Sequence, residues 1–319
     1  MGGNHTQAKF ILLGITESPY AQTPLFVLFL LIYIVTLVGN LSIITVVRVS
    51  PSLHTPMYFF LTHFAFIEIC YSTVISPRML ADLLAEDKTI SFLGCMMQFL
   101  TFGFLADVEC HLLAMMAYDR YVAICHPLFY VTIISSRFCW QLIASSYILA
   151  FLSAIISTWC VFGDSFCGPN RIDHYFCDEF PMLKLVCADT HSSEMLIFAL
   201  AIINVVGMSV VILLSYISII RTVLRMCSAQ SRARAFNTCA SHLMTVSIFF
   251  GSGFFMYLQP SSSHESMDKM ASIFYTVVIP MFNPFIYSLR NKEVKGALLK
   301  CGRRLFNHWQ YTGLVLCRT

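Results

Sequence analysis

Charge is scarce in this sequence. Asp, Glu, Lys and Arg together supply 12% of its 319 residues, whereas hydrophobic residues supply 57%. A water-soluble domain typically carries about 25% charged residues and just under half apolar ones. A chain of this length with so little charge cannot cover a surface that faces water, and we therefore expect lipid to be its solvent.

Alternation of apolar and polar residues is also missing, and continuous apolar runs take its place. A helix needs about 20 apolar residues to cross a bilayer. The backbone must satisfy its own hydrogen bonds there, which leaves helices or a closed barrel. A barrel would show alternation, so we predict helices. We place seven spans at Pro24–Val47, Met57–Leu80, Cys95–Met116, Trp140–Phe162, Met195–Ile220, Ala235–Leu258 and Met270–Leu289.

Features of other membrane proteins are lacking. The sequence has no internal repeat, and its spans hold too few charged residues for a transporter or channel. A membrane enzyme would need a nucleophile with its base, or a metal cluster. His242 near Cys239 comes nearest, but this pair has no third ligand, and we interpret His242 as a structural contact.

The charges that are present divide unevenly between the two sides of the membrane. Most basic residues fall on one side, as at Arg48 and Lys295, and most acidic residues on the other, as at Glu86 and Asp87. The positive-inside rule therefore predicts an extracellular N-terminus and a cytoplasmic C-terminus. Asn4 begins an Asn-His-Thr glycosylation acceptor on the outer side. We find no cleavable signal peptide and expect the first span to act as its own insertion signal.

Five motifs follow one another along the chain. They are Leu53–Leu61 (LHTPMYFFL), Met116–Cys125 (MAYDRYVAIC), Ser215-Tyr216, Ala235–Leu243 (AFNTCASHL) and Pro280–Tyr287 (PMFNPFIY), the last followed by Ser288-Leu289-Arg290-Asn291-Lys292. In this order they resemble the signatures of vertebrate odorant receptors, a branch of the rhodopsin-like G-protein-coupled receptors. The outer-loop strings Phe166–Asn170 and His174–Asp178 resemble those of the class II (tetrapod) group. The match extends from Gly39-Asn40 to Leu298.

The sequence departs from the family pattern at two positions. Phe250 stands before Gly251-Ser252 where the family usually has Tyr before Gly-Thr, which removes a hydroxyl that could report ligand contact. Glu68 stands where most rhodopsin-like receptors carry Asp.

The resemblance implies an all-α membrane protein, a seven-transmembrane helix bundle with a short amphipathic eighth helix. It divides the chain into an extracellular segment (1–23), a receptor domain (24–290) and a cytoplasmic tail (291–319). It implies a multi-pass protein of the plasma membrane that binds a small, mostly apolar volatile odorant in its outer half. The expected partners are this odorant, membrane lipid and a heterotrimeric G protein of the stimulatory (olfactory) type, which raises cyclic AMP. Neither enzymatic activity, a cofactor nor nucleic-acid binding is expected.

The resemblance also implies two activation switches. One is Asp119-Arg120-Tyr121, whose Arg120 is expected to pair with its neighbour at rest and to swing towards Tyr216 on activation. The other is the hinge at the seventh span, where proline removes a backbone hydrogen bond and kinks the helix. The residues of the two switches are Asp119, Arg120, Tyr121, Tyr216, Phe250, Asn283, Pro284 and Tyr287.

Three acids lie within the spans, where ionisable residues are costly and are functional candidates by default. Glu68 and Glu109 correspond to an interior polar cluster that holds sodium or water in related receptors, and Asn40 and Asn283 would complete it. Two carboxylates in a low dielectric do not both ionise without a cation, so either one is protonated or a sodium ion lies between them. Asp107 allows two interpretations, a local pair with His111 at i, i+4 or contact with a ligand.

The ligand site is expected between the outer parts of the third, fifth, sixth and seventh spans. Apolar and aromatic walls with a few polar groups suit a small, fairly apolar molecule. The candidate lining residues are Phe102, Gly103, Ala106, Asp107, Asn204, Gly253, Phe254, Tyr257 and Ile273. Each of them could equally be a helix-core residue.

Thirteen cysteines are present, of which Cys95, Cys167, Cys177 and Cys187 fall on the outer side. Four cysteines allow three pairings, and the sequence does not choose among them. Our preferred pairing is Cys95–Cys177 with Cys167–Cys187. Cys301 follows a short basic stretch in the tail, where palmitoylation and simple packing are both open.

Overall fold

A computed structural model describes residues 9–16, 18–167, 170–257, 265–290 and 293–301. Within these ranges, the side chains of residues 234, 238, 253–257, 265–268 and 288–290 are not described. The predicted glycosylation site at Asn4 lies outside the described residues.

Seven long helices make up most of the described chain. They are α1 (Pro19–Val49), α2 (Pro56–Leu84), α3 (Phe92–Cys125), α4 (Ser136–Phe162), α5 (His191–Arg225), α6 (Ala229–Tyr257) and α7, which runs through Glu265–Ile273, a π-helical turn at Phe274–Val278, and Ile279–Arg290. Shorter helical segments are Pro51–Leu53, Pro127–Phe129, Tyr130–Ile133 and Glu179–Leu183. The first five predicted spans each lie inside one helix.

Length and apolar composition suit the bundle to a membrane. Helices α1 to α5 and the Lys269–Tyr287 part of α7 are long and apolar enough to span a bilayer, and α6 holds a shorter apolar stretch, Cys239–Ser252. Large apolar side chains such as Val38, Leu41 and Leu213 are exposed on the outward faces of the helices. Such an exposed apolar surface is stable only where hydrocarbon replaces water. The predicted bundle of membrane helices is confirmed.

Local sequence signals explain where several helices begin. Pro19 and Pro56 occupy the first helical turn, where the missing N–H costs nothing. Ser91 caps α3, since its Oγ accepts a hydrogen bond from the Gly94 N–H at 3.1 Å. Ser135 caps α4 through the Phe138 N–H at 3.3 Å.

The eighth helix predicted for the tail comprises residues 293–301. Val294, Ala297, Leu298 and Cys301 pack against the core, at the spacing of one helical face. The Tyr58 hydroxyl donates a hydrogen bond to Glu293 Oε2 at 2.7 Å and ties this helix to the start of α2.

A small sheet covers the outer end of the bundle, and the sequence analysis did not predict it. Its strands are β1 (Lys9–Leu12), β2 (Thr89–Ser91) and β3 (Arg171–Ile172), in the order β2-β1-β3. In β1, Phe10 lies opposite Ile90 in an antiparallel pair, and Leu12 lies opposite Ile172 in a parallel pair. Phe10 and Leu12 are both 0% exposed. The strand Lys9–Leu12 is therefore an integral part of the outer core.

Two disulfides fasten the same region. Cys95 at the top of α3 bonds to Cys177 in the loop between α4 and α5, and Cys167 bonds to Cys187 within that loop. The preferred pairing is thus the one that the structure contains. Cys95 and Cys177 share a buried cluster with Phe10, Leu12 and further apolar residues, so the disulfide joins α3, the loop and the N-terminal strand.

Helices α1 and α7 touch closely at Gly39. A Cβ built at Gly39 would lie 2.9 Å from Cβ of Pro284, a rigid ring that cannot turn away. We expect Gly39→Ala to cost about 1–3 kcal/mol, the usual range for overpacking, and to lower both the melting temperature of the purified receptor and its surface level. Gly207→Ala on α5 is the matched control, because an added Cβ there meets nothing within 4 Å. Equal melting temperatures for the two variants would contradict this close contact.

Candidate functional site

Aromatic side chains fill the outer end of the bundle beneath the loop between α4 and α5. Phe102 of α3 lies among three rings, with centroid distances of 5.0 Å to Phe176, 5.1 Å to Tyr71 and 6.2 Å to Tyr275. Ile273 of α7 belongs to the same apolar cluster. Two of the predicted lining residues therefore meet under the loop.

The loop is fastened to α7 by polar contacts. The hydroxyls of Tyr175 and Thr276 are 2.8 Å apart, and Lys269 forms an ion pair with Asp173. His174 is buried between these contacts, with its ring centroid 4.5 Å from that of Tyr175. Burial lowers the pKa of His174, so its imidazole is neutral at pH 7 and packs as an uncharged ring. The loop thus forms a fixed roof over the aromatic cluster.

A polar bridge joins α3, α4 and α5 deeper in the bundle. The Asn204 amide nitrogen donates to Asp107 Oδ2 and to Ser153 Oγ, both at 3.2 Å, and the amide oxygen lies 3.3 Å from His111 Nε2. His111 Nδ1 lies 3.0 Å from Ser146 Oγ. Of the two interpretations left open for Asp107, the local pair with His111 is not formed. Both side chains bond to Asn204 instead, because one amide supplies a donor and an acceptor.

The other predicted lining residues lie on α3, where they are described, or on α6, where their side chains are not. Gly103 is half-buried, one turn from Asp107 on the same face of α3, and an added Cβ would meet nothing within 4 Å. Ala106 packs against the main core. Gly253, Phe254 and Tyr257 belong to α6, but their side chains lie outside the described part of the structure. Two cavities, of about 550 and 630 Å³, lie along α6, and the walls given by the described residues include no predicted lining residue.

The interior acids approach each other as predicted. Asn283 donates a hydrogen bond from Nδ2 to Glu68 Oε1, and the Glu109 carboxyl lies within hydrogen-bonding reach of the Glu68 carboxyl. Glu68 is 0% exposed. Asn40 is also buried, but its amide nitrogen donates to the Thr36 carbonyl of its own helix at 3.0 Å.

Two acceptors of this cluster have no partner among the described residues. They are Glu68 Oε2 and Asn283 Oδ1, and both are buried. Unpaired buried acceptors are costly, and two adjacent carboxyls do not both ionise without a counter-charge. These carboxyl and amide oxygens could therefore share a proton or bind a monovalent cation such as sodium.

A double-mutant cycle tests whether the two acids act as one unit. We expect Glu68→Gln or Glu109→Gln to shift basal signalling or its sodium sensitivity, and the double variant to depart from the sum of the singles by about 0.5–3 kcal/mol, as is typical of residues in contact. The measurement is basal and agonist-driven cyclic AMP at low and high sodium, corrected for surface receptor. Strict additivity without sodium dependence would show that the two carboxyls act separately.

The resting pair predicted for Asp119 and Arg120 is not present as a hydrogen bond. Asp119 Oδ1 accepts from the Tyr130 hydroxyl at 2.7 Å, while its Oδ2 and the Nε of Arg120 are buried without a hydrogen-bond partner among the described residues. Adjacent side chains on a helix point in different directions, so Asp119 turns to the loop after α3. Tyr121 bonds to His126 Nε2 at 3.0 Å. The Nε of Arg120 is therefore able to donate a hydrogen bond to another partner.

Tyr216 is held by His242, whose role the sequence analysis underestimated. The Tyr216 hydroxyl lies 2.7 Å from His242 Nδ1, and His242 Nε2 lies 3.0 Å from the Leu113 carbonyl oxygen. His242 is fully buried, so one imidazole joins α3, α5 and α6. The signal was its place in the motif Ala235–Leu243, but spacing alone does not reveal contacts with two other helices.

Two of the remaining switch residues, Pro284 and Tyr287, lie where α7 packs against its neighbours. Pro284 faces Gly39, and the Tyr287 ring lies 6.0 Å from that of Phe64 on α2. Phe250 is half-buried in α6, 5.2 Å from the ring of Phe249. The switch on α7 thus contacts the interior acids, because Asn283 bonds to Glu68. Tyr216, which belongs to the other switch, is bonded to His242 of α6.

The fold and the sequence both have counterparts among known proteins. The structure is similar to that of squid rhodopsin, with a TM-score of 0.73 and 18% identity over 96% of this chain and 90% of that one. In sequence, the chain is 53% identical to Olfactory receptor 8U3 of Mus musculus, over 92% of each chain. It is 50% identical to Olfactory receptor 5AP2 of Homo sapiens, over 94% of this chain and 95% of that one.

A family model described as "Olfactory receptor" matches residues 29–303. This range contains most of α1, all of α2 to α7, the disulfides, the interior acids and both switches. Members of this family are multi-pass membrane receptors and not enzymes. The chain therefore belongs to the olfactory receptor family of rhodopsin-like G-protein-coupled receptors.

Proposed function

We propose that this receptor binds a small, mostly apolar volatile molecule in the outer half of its bundle and activates a stimulatory, olfactory-type G protein, which raises cyclic AMP. Its outer-loop strings favour the class II (tetrapod) group. We assign residues 1–23 to the extracellular segment, 24–290 to the receptor domain and 291–319 to the cytoplasmic tail.

The observation that carries the ligand site is the polar pair of Asp107 and Asn204, which lies below a roof of aromatic rings and beside open space at Gly103. A few fixed polar groups within apolar walls are typical of small-molecule sites. Asp107 and Asn204 already satisfy each other, so a fairly apolar ligand would not have to replace a strong polar partner.

Exposed apolar side chains support a protein partner on the cytoplasmic side. Leu128 is 92% exposed and Val131 is 82% exposed, in the segment that follows α3 and holds Asp119 through Tyr130. This segment lies beyond the span, where water rather than lipid is the solvent. Contiguous apolar groups in such a position mark protein or membrane contacts, and their proximity to the Arg120 switch favours the G protein.

Filling the open space at Gly103 tests the ligand site. For a volatile agonist found by screening, Gly103→Leu should raise the half-maximal concentration about tenfold or more, the equivalent of about 1.4 kcal/mol, because the new side chain occupies ligand space. Gly207→Leu is the matched control, since a Cβ added at Gly207 also meets no neighbour within 4 Å. Cyclic AMP is measured at equal surface level. Unchanged agonist potency in Gly103→Leu would overturn this placement of the ligand.

A further inference from the structure

A cavity of about 550 Å³ lies between α6 and α7, apart from the proposed ligand site. Its volume is within the range of about 300–1,000 Å³ that small-molecule sites occupy. The lining residues are Ser247, Ile248, Gly251, Ser252, Met270, Ala271 and Phe274. Among these described residues there is no charged side chain, and the Ser252 hydroxyl is already bonded to the Phe249 carbonyl at 2.8 Å. The walls therefore suit a neutral, apolar occupant.

The cavity opens towards the bilayer. Met270, Phe274 and Gly251 line it, and all three are exposed. They belong to the apolar stretches of α6 and α7 that cross the membrane, and they lie towards the outer ends of these helices. A molecule that reaches the cavity from this side has first dissolved in the hydrocarbon of the bilayer.

The wall on α7 coincides with an irregular turn of that helix. The π-helical turn begins at Phe274, and such turns are frequent at functional sites. Phe274 faces the cavity, whereas the next two residues point inward. Tyr275 lies 6.2 Å from the ring of Phe102, and Thr276 bonds to Tyr175 of the loop. One turn of helix thus separates the cavity from the roofed aromatic cluster.

Two residues named from the sequence are direct chain neighbours of the cavity wall. Phe250 precedes Gly251, and Ile273, which is buried with Phe102 in one cluster, precedes Phe274. Successive residues of a helix point in different directions, so the cavity and the aromatic cluster lie on different faces of α7.

We infer that the cavity between α6 and α7 is a second binding site, which neutral apolar molecules of the odorant class enter from the bilayer. The choice of ligand class rests on the proposed function, since a volatile apolar molecule concentrates in lipid before it meets the receptor. This second site faces the membrane, whereas the proposed ligand site lies under the loop between α4 and α5.

Photolabelling tests this site without any signalling readout. Full-length receptor in phosphatidylcholine nanodiscs is labelled with decyl diazirine, with and without excess decanol, and the labelled residues are mapped by mass spectrometry. We expect saturable labelling at Met270 and Phe274 that decanol competes away. Gly251→Phe should reduce it about tenfold, a loss of about 1.4 kcal/mol in binding, because the ring fills the cavity. Gly207→Phe should leave it unchanged, since Gly207 is exposed on α5 with nothing within 4 Å.

Three results would overturn the inference. The first is labelling that does not saturate and is equally strong on lipid-facing residues of α5 such as Leu213 and Leu214. The second is labelling at Met270 and Phe274 that persists in Gly251→Phe. The third is saturable labelling by a photoreactive phosphatidylcholine that decanol does not displace, which would assign the cavity to a lipid acyl chain. None of these depends on cyclic AMP, so a failure of the proposed signalling function would be seen separately.

Discussion

Arg120→Ala is expected to abolish agonist-driven cyclic AMP while the receptor remains at the cell surface. The Nε of Arg120 is buried without a hydrogen-bond partner among the described residues, and Oδ1 of Asp119 is bonded to Tyr130. Since the substitution breaks no hydrogen bond of this Nε, we expect the resting fold to tolerate it. The lost charge is then missed when the cytoplasmic end of the bundle opens.

The resting position of Tyr216 agrees with this role. Tyr216 is bonded to His242 and not to Arg120, so a swing of Arg120 towards Tyr216 requires that α5 and α6 first rearrange. Loss of the arginine should then prevent the active state without altering the inactive one.

The control for Arg120→Ala is Arg137→Ala. Arg137 is an exposed basic residue in the first turn of α4 on the same side of the membrane, so its removal changes the positive charge by the same amount. The measurement is cyclic AMP at matched surface level. Normal signalling by Arg120→Ala, or an equal loss in Arg137→Ala, would exclude a specific switch role for Arg120.

Loss of the disulfide between Cys95 and Cys177 should retain the receptor in the endoplasmic reticulum. The two cysteines are separated by 82 positions and are 0% exposed. Removing a native disulfide from a small secreted domain typically costs about 2–5 kcal/mol, a large share of the usual stability of a domain. The N-terminal strand packs on the same cluster, so its anchorage should fail as well.

The pattern of the variants identifies the partners. Cys95→Ser and Cys177→Ser should each lower surface expression to the same small but measurable level, and the double variant should be no worse than either single one, because all three lack the same bond. Cys227→Ser is the control, since Cys227 is an exposed free cysteine. Surface receptor is counted by antibody labelling of intact cells. Additive losses in the double variant would mean that the two cysteines have different partners.

Much of the bundle could be predicted because membrane helices carry a strong local signal. About 20 apolar residues in a row specify a span, and Pro56 or Ser135 marks its start. The meeting of Glu68, Glu109 and Asn283 could be expected because buried acids need partners and the resemblance assigns all three to one interior polar cluster.

Other features depend on contacts that no local pattern encodes. The strand Lys9–Leu12 is too short to be recognised by alternation, and its partners Thr89–Ser91 and Arg171–Ile172 are distant in the chain. The i, i+4 spacing of Asp107 and His111 allowed a pair, but it could not show that Asn204 would bond to both. Similarly, sequence neighbours Asp119 and Arg120 were expected to pair, whereas Tyr130 competes for the carboxylate.

The central claim is that a volatile ligand drives G-protein signalling through this receptor, and cyclic AMP in transfected cells measures it most directly. Cells that express the receptor, with or without an added stimulatory olfactory-type G protein, are exposed to a panel of volatiles. The account predicts that at least one apolar volatile raises cyclic AMP, that the added G protein increases the response, and that Arg120→Ala removes it at equal surface level. A response that persists in Arg120→Ala, or no response to any volatile although the receptor is at the surface with the G protein present, would contradict the account.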